Sequence, residues 1–450
     1  MTETSAEERS LLERALGLFT EVRAGEGVTA LLLALNVFVL LTAYYIVKPV
    51  REALILALDS GAEYKAYMSA VIAAALLVLV PIYARFVDRV PKLKLVVGAT
   101  LFFASHLVLF WLASQSEAIR RHLGLVFYVW VGIFNMMVVA QFWAYANDVY
   151  DPERGKRLFP LIALGASWGA ALGAKVAALL IPLFGEYGLL LASAGLLVCC
   201  ALLFLAADRG RSQPSRSSAG PAPDKGTMDG AFALVLKHRY LLLLAGFSLV
   251  FSWVNTNGEY MLSKLVKGAA SAAVNSGEIL AADQGKYIGS FYGDFFFYVN
   301  VLGVLLQSFV VSRIIKYGGL GVAFFIFPFI ALGSSLAILA VPLLYVARIG
   351  KIAENATDYS LNNTVRQTLW LPTSEAMKYK AKQAVDTFFV RMGDVSSALL
   401  VAIGAGMLSL PVRAFAVANA LLIAVWLVFA IAIVRENRVM TSQAKTPSAS

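Results

Sequence analysis

The stretch ALLLALNVFVLLTAYYIVKPVREALIL, residues 30–56, decides the fold. It opens with about twenty apolar residues, the length that crosses the hydrocarbon core of a bilayer as a helix. Lys48, Pro49, Arg51 and Glu52 then arrive, and apolar sequence resumes behind them. A plain anchor gains nothing from charges placed there. Ionisable groups at membrane depth are costly, and they line a pathway or pair with one another. The segment therefore reads as one wall of a transporter.

Composition extends this reading to the whole chain. Hydrophobic residues make up 59% of the 450 positions and charged residues 15%, and the mean hydropathy is +0.73. A soluble domain carries about a quarter charged residues. About twelve spans are expected, each near the roughly 20 residues a bilayer requires. They fall near 28–48, 67–87, 95–114, 123–145, 158–183 and 187–207, then 240–262, 289–312, 319–341, 342–368, 383–408 and 413–434. Pro342 is the only break between the ninth and tenth, and a helix can start on a proline. The fold class is an all-α polytopic membrane protein.

The net charge of +10 has a location. Arg85, Arg89, Lys92 and Lys94 follow the second span, and Arg154, Lys156 and Arg157 follow the fourth. Arg209, Arg211, Arg216, Lys225, Lys237 and Arg239 follow the sixth, Arg313 and Lys316 the eighth, and Lys378, Lys380 and Lys382 the tenth. This alternation predicts a multi-pass membrane protein with both termini in the cytoplasm. The cations are spread over membrane-adjacent turns, which suits anionic lipid headgroups and excludes a nucleic-acid face. Residues 1–27 are charged and Glu-rich, without the short apolar core of a secretory signal, and read as a cytoplasmic segment. Cys199 and Cys200 are adjacent inside a span and serve as small apolar residues.

Residues 208–230, DRGRSQPSRSSAGPAPDKGTMDG, have the composition of a flexible linker. The expected division is a segment 1–27, a bundle 28–207, a linker 208–239, a second bundle 240–434 and a tail 435–450. The halves echo each other. FVDRVPKLK after the second span matches VVSRIIKYGG after the eighth, and DPERGKRLFPLIALGAS after the fourth matches TSEAMKYKAKQAVDTFF after the tenth. A parallel repeat of this kind is expected when two six-helix bundles enclose a site. The turn after the second span also resembles the D-R-x-G-R-R loop of the major facilitator superfamily, with Pro91 in place of the glycine. With six spans on either side of a linker, it points to a major-facilitator-like architecture.

Polar residues inside the spans are the candidates for function. The first span offers Lys48 and Arg51, and the end of the fourth offers Asn147. Lys175 sits in LGASWGAALGAKVAA, whose small residues suit close helix contact. The seventh span contributes Asn255 and Glu259 from NTNGEY, and the eighth contributes Asp294. The tenth is the most polar: Lys351, Asn355, Asp358 and Asn362 recur at i, i+4, i+7 and i+11, one face of a helix. That face must look into protein or a water-filled cavity. Arg391 stands in the eleventh. The intramembrane cations are matched by acids, among them Glu52, Glu354, Asp386 and Asp394, so pairing is expected for part of the set.

Other chemistry is missing from the sequence. No GxxxxGK[ST] loop is present, so hydrolysis of ATP is not expected. His106, His122 and His238 are scattered and form no metal set, and no catalytic group or resident cofactor is expected.

YYIVKPVRE, QFWAYANDVYDPERGKRLFPLIALGAS, FYGDFFFYVNVLGVLLQSFVV and KYKAKQAVDTFF together resemble the ATP/ADP translocases of bacteria and plastids, with FWAYANDVYDPERGKRLFPLIALGAS the most specific block. The resemblance implies twelve helices and counter-exchange of nucleotides without hydrolysis. It also implies charged substrate positions, and these carry over unevenly. A basic residue is implied in the first span, and Arg51 fills it. An acid is implied early in the fourth, where Trp130 and Val131 stand. A glutamate is implied before the FYGD block, where Lys286 and Tyr287 stand, and a lysine in the eleventh, where Asp394 stands.

Three readings follow. Exchange of nucleotides or another phosphorylated anion asks for cations left unpaired, above all Arg51, Lys351 and Arg391. A proton-coupled carrier of another solute asks for a carboxylate that cycles protons, with Glu259, Asp294 and Asp358 the candidates. A scaffold that transports nothing gains little from the polar tenth span. The expected partners are the transported anion and membrane lipids, with no obligate protein partner.

Overall fold

The computed structural model describes residues 10–16, 20–87, 90–209, 228–374, 377 and 381–445. Asp88, Arg89, Lys378 and Lys380 of the loop repeat, and most of the 208–230 linker, lie outside the described residues. The described chain is almost wholly helical.

Among the described residues, nine stretches are long and apolar enough to cross a membrane, and two of them, Glu153–Arg209 and Ala281–Ala340, are double. Each turns a corner at a glycine in the left-handed region, Gly185 with φ +72° and Gly319 with φ +73°. Only glycine takes that conformation without steric cost. Nine stretches thus become eleven helices, and the twelfth is 344–368, too polar to qualify by hydropathy. The helices are α1 (Gly27–Leu56), α2 (Gly61–Val87), α3 (Lys92–Ala113), α4 (Glu117–Val149), α5 (152–184) and α6 (186–209). Then come α7 (Arg239–Asn275), α8 (284–318), α9 (320–340), α10 (344–368), α11 (382–407) and α12 (Val412–Lys445). Pro342 stands in the break before α10, which begins two residues later than its sequence boundary. The larger differences are at α1, α7 and α12, which run on to Leu56, Asn275 and Lys445.

The chain forms two compact units. The first is Met1–Leu54, Leu76–Gly220 and Gly285–Phe297; the second is Ile55–Ala75, Pro221–Gln284 and Tyr298–Ser450. α2 and α8 therefore contribute to both.

In the first unit, α5 lies directly on α1. A Cβ at Gly165, Gly169 or Gly173 would run into the backbone carbonyl of Ala34, Phe38 or Thr42 respectively. The three glycines are four residues apart, so they form one stripe, the small-residue contact that lets backbones approach in a membrane. Thr42 uses the closeness and donates its hydroxyl to the Gly169 carbonyl at 3.3 Å. Gly169→Val is expected to force the helices apart at about 1–3 kcal/mol, the usual penalty of overpacking. Thermal unfolding of the purified variant checks this, and an unshifted midpoint contradicts the contact. Aromatic rings fill the α3–α4 seam, where Trp130 stacks between Phe127 and Phe134 at 5.8 and 5.4 Å. Cys200 is buried, and its carbonyl accepts from Asn36 of α1 at 2.8 Å.

The N-terminal segment is tied to the start of α5. Arg157 donates both arms of its fork to Glu26, at 2.9 and 3.0 Å, and Thr20 donates to the Arg157 carbonyl. Burial disfavours a charge on Glu26, but the Arg157 fork and the Arg23 amide outweigh it and hold the carboxyl below its ordinary range.

The second unit repeats the glycine device. A Cβ at Gly393 of α11 would meet the Leu249 carbonyl of α7. Its apolar core joins α7, α9 and α12, with Phe247 stacked on Phe324 at 4.7 Å and Phe327 edge-on to Trp426 at 5.3 Å. Helical segments here widen to π geometry, among them Leu306–Val310, Asp358–Asn362, Val385–Phe389 and Ala402–Met407. Such bulges recur at functional sites.

Candidate substrate-binding site

The candidate residues fall into two groups, one in each unit. In the first unit α1 carries Lys48 and Arg51, one helical turn apart and on one face. The Arg51 guanidinium lies 4.6 Å from the Tyr128 ring centroid of α4 and donates to Glu52, Nε at 3.1 Å. Glu52 is 0% exposed, so this is a buried ion pair built from neighbouring residues. Lys48 sits over Phe296 of α8 at 3.9 Å and over Tyr45 at 5.0 Å. An ammonium over an aromatic face is attracted by the ring's quadrupole.

Lys175 of α5 donates to Asp294 of α8 at 2.8 Å, and both side chains remain about a third exposed. Small residues bring these helices together. A Cβ at Gly293 would stand 2.6 Å from the Ala178 nitrogen, and Ser290 donates to the Ala178 carbonyl at 3.1 Å. Asn147 is elsewhere. It is exposed near the end of α4, beside Asp148, which accepts from Lys92 at 2.8 Å.

The second group is built on α10. Lys351 is 0% exposed, and its ammonium donates to Glu354 at 2.9 Å and to the Asn255 amide oxygen at 3.1 Å. Glu259 of α7 lies 3.6 Å away and accepts from Asn355 at 3.2 Å. Gly258 makes room: a Cβ there would stand 3.2 Å from the Lys351 ammonium. Asp358 opens the π segment, whose wider turn places Asn362 beneath it, donating at 2.6 Å. The polar face of α10 is thus packed into protein, with Lys351, Asn355 and Asn362 all buried.

Sequence reasoning missed the third side of this group. Lys65, in the first turns of α2, is buried, donates to Ser263 at 2.9 Å and lies 3.6 Å from Glu259. Beside it, Glu63 accepts from Lys264 and from the Tyr260 hydroxyl, the latter at 3.2 Å. Glu259 therefore stands between two lysines from different helices.

In α11, Arg391 donates to Asp394 at 3.0 Å. Asp394 also accepts from Ser252 and Thr256 of α7, at 2.7 and 2.8 Å, which makes it an anchor between α7 and α11.

The nucleotide-exchange reading asks for Arg51, Lys351 and Arg391 to stand unpaired. The structure instead pairs all three, as the matching of intramembrane cations by acids leads one to expect for part of the set. Each has a carboxylate within hydrogen-bond reach. The physical reason is the cost of an isolated charge in a low-dielectric interior, which a neighbouring carboxylate offsets.

The comparisons fit this architecture. The model of the Major Facilitator Superfamily matches residues 33–371, and the chain belongs to that family. Among curated proteins it is similar to ADP,ATP carrier protein 1 of Chlamydia trachomatis, at 23% identity over 61% of this chain and 57% of that carrier. It is also similar to the carrier of the same name from Chlamydia pneumoniae, at 24% identity over 68% of this chain and 65% of the carrier. The chain thus spans less than two thirds of the length of these relatives. Among solved structures, a bacterial homologue of the human lysosomal transporter Spinster matches with a TM-score of 0.63 and 11% identity, over 94% of this chain and 99% of that one. The nucleoside transporter NupG matches at 0.60 with 14% identity, over 90% of this chain and 98% of that one. These likenesses show the fold, and with the family they make the chain a multi-pass secondary transporter of the facilitator type.

Proposed function

We propose that the chain exchanges ATP and ADP, or a related phosphorylated anion, across a bacterial inner membrane by alternating access, with both termini in the cytoplasm. The observation that carries this reading is the pair Lys65 and Lys351, two buried ammonium groups from α2 and α10 that converge within 3.6 Å of one carboxylate. Converging cations are what a phosphate group recruits. Within the first unit, Lys48 and Arg51 on α1 and Lys175 on α5 are a separate set of candidate anion contacts. The similarity to the chlamydial carriers supports nucleotides as the anion class. Asn255, Asn355 and Asn362 add amides able to meet ribose or phosphate oxygens, and Asn147, near the end of α4, stands as a peripheral member of the set. Asp294 and Glu354 hold Lys175 and Lys351 in place, Glu259 lies at longer range from Lys65 and Lys351, and Asp358 accepts from Asn362.

The test is stabilisation of the purified protein in detergent by a panel of ATP, ADP, inorganic pyrophosphate and adenosine. A ligand at a hundred times its Kd adds about 2.7 kcal/mol to the folded state. Phosphorylated members should raise the melting temperature while adenosine does not. A response to adenosine equal to that of ATP contradicts the phosphate-directed reading.

A further inference from the structure

We propose that Glu259 is an internal competitor of the substrate: its carboxylate and an anionic oxygen of the transported molecule compete for the same place between Lys65 and Lys351. The proposal rests on the phosphorylated-anion reading above and deepens it.

The geometry separates Glu259 from the other acids of the group. Lys351 and Glu354 are both almost fully buried and meet at 2.9 Å, a direct hydrogen bond inside one helix. Glu259 is 23% exposed and touches each lysine at 3.6 Å, beyond hydrogen-bond length. It is the most exposed of the three acids Glu63, Glu259 and Glu354.

Both lysines keep their places without it. Lys65 is anchored on Ser263 at 2.9 Å, and Lys351 on Glu354 and Asn255 at 2.9 and 3.1 Å. Gly258 and the backbone of α7 back the Lys351 ammonium. When the Glu259 carboxylate swings aside, two cations remain aimed at one point. A phosphoryl group, like a carboxylate, offers oxygens that can accept from two ammonium groups at once.

Charge balance gives the competition its direction. Lys65, Lys264 and Lys351 face Glu63, Glu259 and Glu354, three positive groups against three negative, with Asp358 one turn further along α10. With Glu259 seated, the six charges cancel. With Glu259 displaced, Lys65 and Lys351 each lose a negative neighbour, which draws in an anion. An anion that leaves is replaced by the carboxylate, so the two lysines keep a negative neighbour at either stage. Asn355, which donates to Glu259 at 3.2 Å, offers the same amide to the incoming oxygen. Glu259 is thus a positioning and specificity residue, selecting against neutral solutes that cannot displace it.

The experiment is calorimetric titration of inorganic pyrophosphate into purified wild-type, Glu259→Gln and Lys65→Gln/Glu259→Gln proteins, with ATP/ADP exchange measured on the same preparations in liposomes. If the released state is a minor one, populated at about 10% or less, removing the competitor tightens pyrophosphate binding by about tenfold or more. The double variant, which has lost one of the two cations, should bind no tighter than wild type. Unchanged or weaker binding by Glu259→Gln overturns the proposal, and if wild type still exchanges nucleotides the transport reading survives it. Tighter pyrophosphate binding with no nucleotide exchange by any protein supports the competition and removes ATP/ADP exchange. Should Glu259→Gln fail to fold, Glu259→Asp, shorter by one methylene, is expected to tighten binding in the same direction, and no gain there overturns the proposal as well.

Discussion

Replacing Lys351 by alanine is expected to destabilise the second unit by about 3–5 kcal/mol, the usual cost of breaking a buried ion pair by removing one partner. The lysine is 0% exposed, and two carboxylates depend on it, Glu354 at 2.9 Å and Glu259 at 3.6 Å. The Lys351→Ala substitution leaves Glu354, itself buried, facing an apolar hole. The loss should appear as a lowered midpoint of thermal unfolding, together with loss of anion binding. A combined Lys351→Ala and Glu354→Ala variant removes both charges, and it should recover part of the stability without recovering binding. Stability of the single variant within about 0.5 kcal/mol of wild type, the range of an ordinary surface substitution, contradicts the arrangement of α10.

Arg51→Ala is expected to lose transport, and its effect on the fold is larger than the sequence implies. A basic residue at the end of an apolar run reads as a group free to meet substrate, so its removal is expected to leave the fold intact. The structure places Glu52 fully buried against the Arg51 guanidinium, which also stacks on Tyr128. Removing the guanidinium strands a buried carboxylate, again at about 3–5 kcal/mol. Arg51→Ala combined with Glu52→Gln separates the two effects. The combined variant should regain most of the stability and still fail to transport. Wild-type transport rates in the combined variant remove Arg51 from the substrate pathway.

These two residues also show what the sequence made legible. The spans were readable because apolar runs of membrane length admit few alternatives, and the glycine stripe at 165, 169 and 173 was readable because its period of four fixes one helix face. Pairs three residues apart, Lys351 with Glu354 and Arg391 with Asp394, follow from the same periodicity. Lys65 was hidden for a different reason. A polar residue in the first turns of α2 shortens the apolar window, so the span seemed to begin at 67. The last turns of α7, with Lys264 and Lys267, were trimmed from 240–262 in the same way. Both ends are helical because they satisfy each other: Lys264 meets Glu63, Lys65 meets Ser263, and Lys267 donates to the Leu58 carbonyl. Those partners are about two hundred positions apart in sequence, beyond the reach of any local pattern. The π segments were equally hidden, since a widened turn leaves no compositional mark.

The pairing of Arg51, Lys175, Lys351 and Arg391 with carboxylates bears on how the proposed site would recognise a substrate. Recognition does not rest on bare charges waiting in a cavity. It rests on carboxylates that hold cations in place, one of them, Glu259, held at longer range and partly exposed. On the proposed reading, an anion reaches these cations only by displacing an internal partner, which favours exchange over one-way leak.

The most direct test of the central claim is uptake of labelled ATP into liposomes bearing the purified protein, either preloaded with ADP or left empty. The account predicts rapid uptake into preloaded vesicles, little into empty ones, and no dependence on an imposed pH gradient. Uptake that needs the pH gradient and ignores internal ADP contradicts nucleotide exchange and assigns the carboxylates to proton coupling.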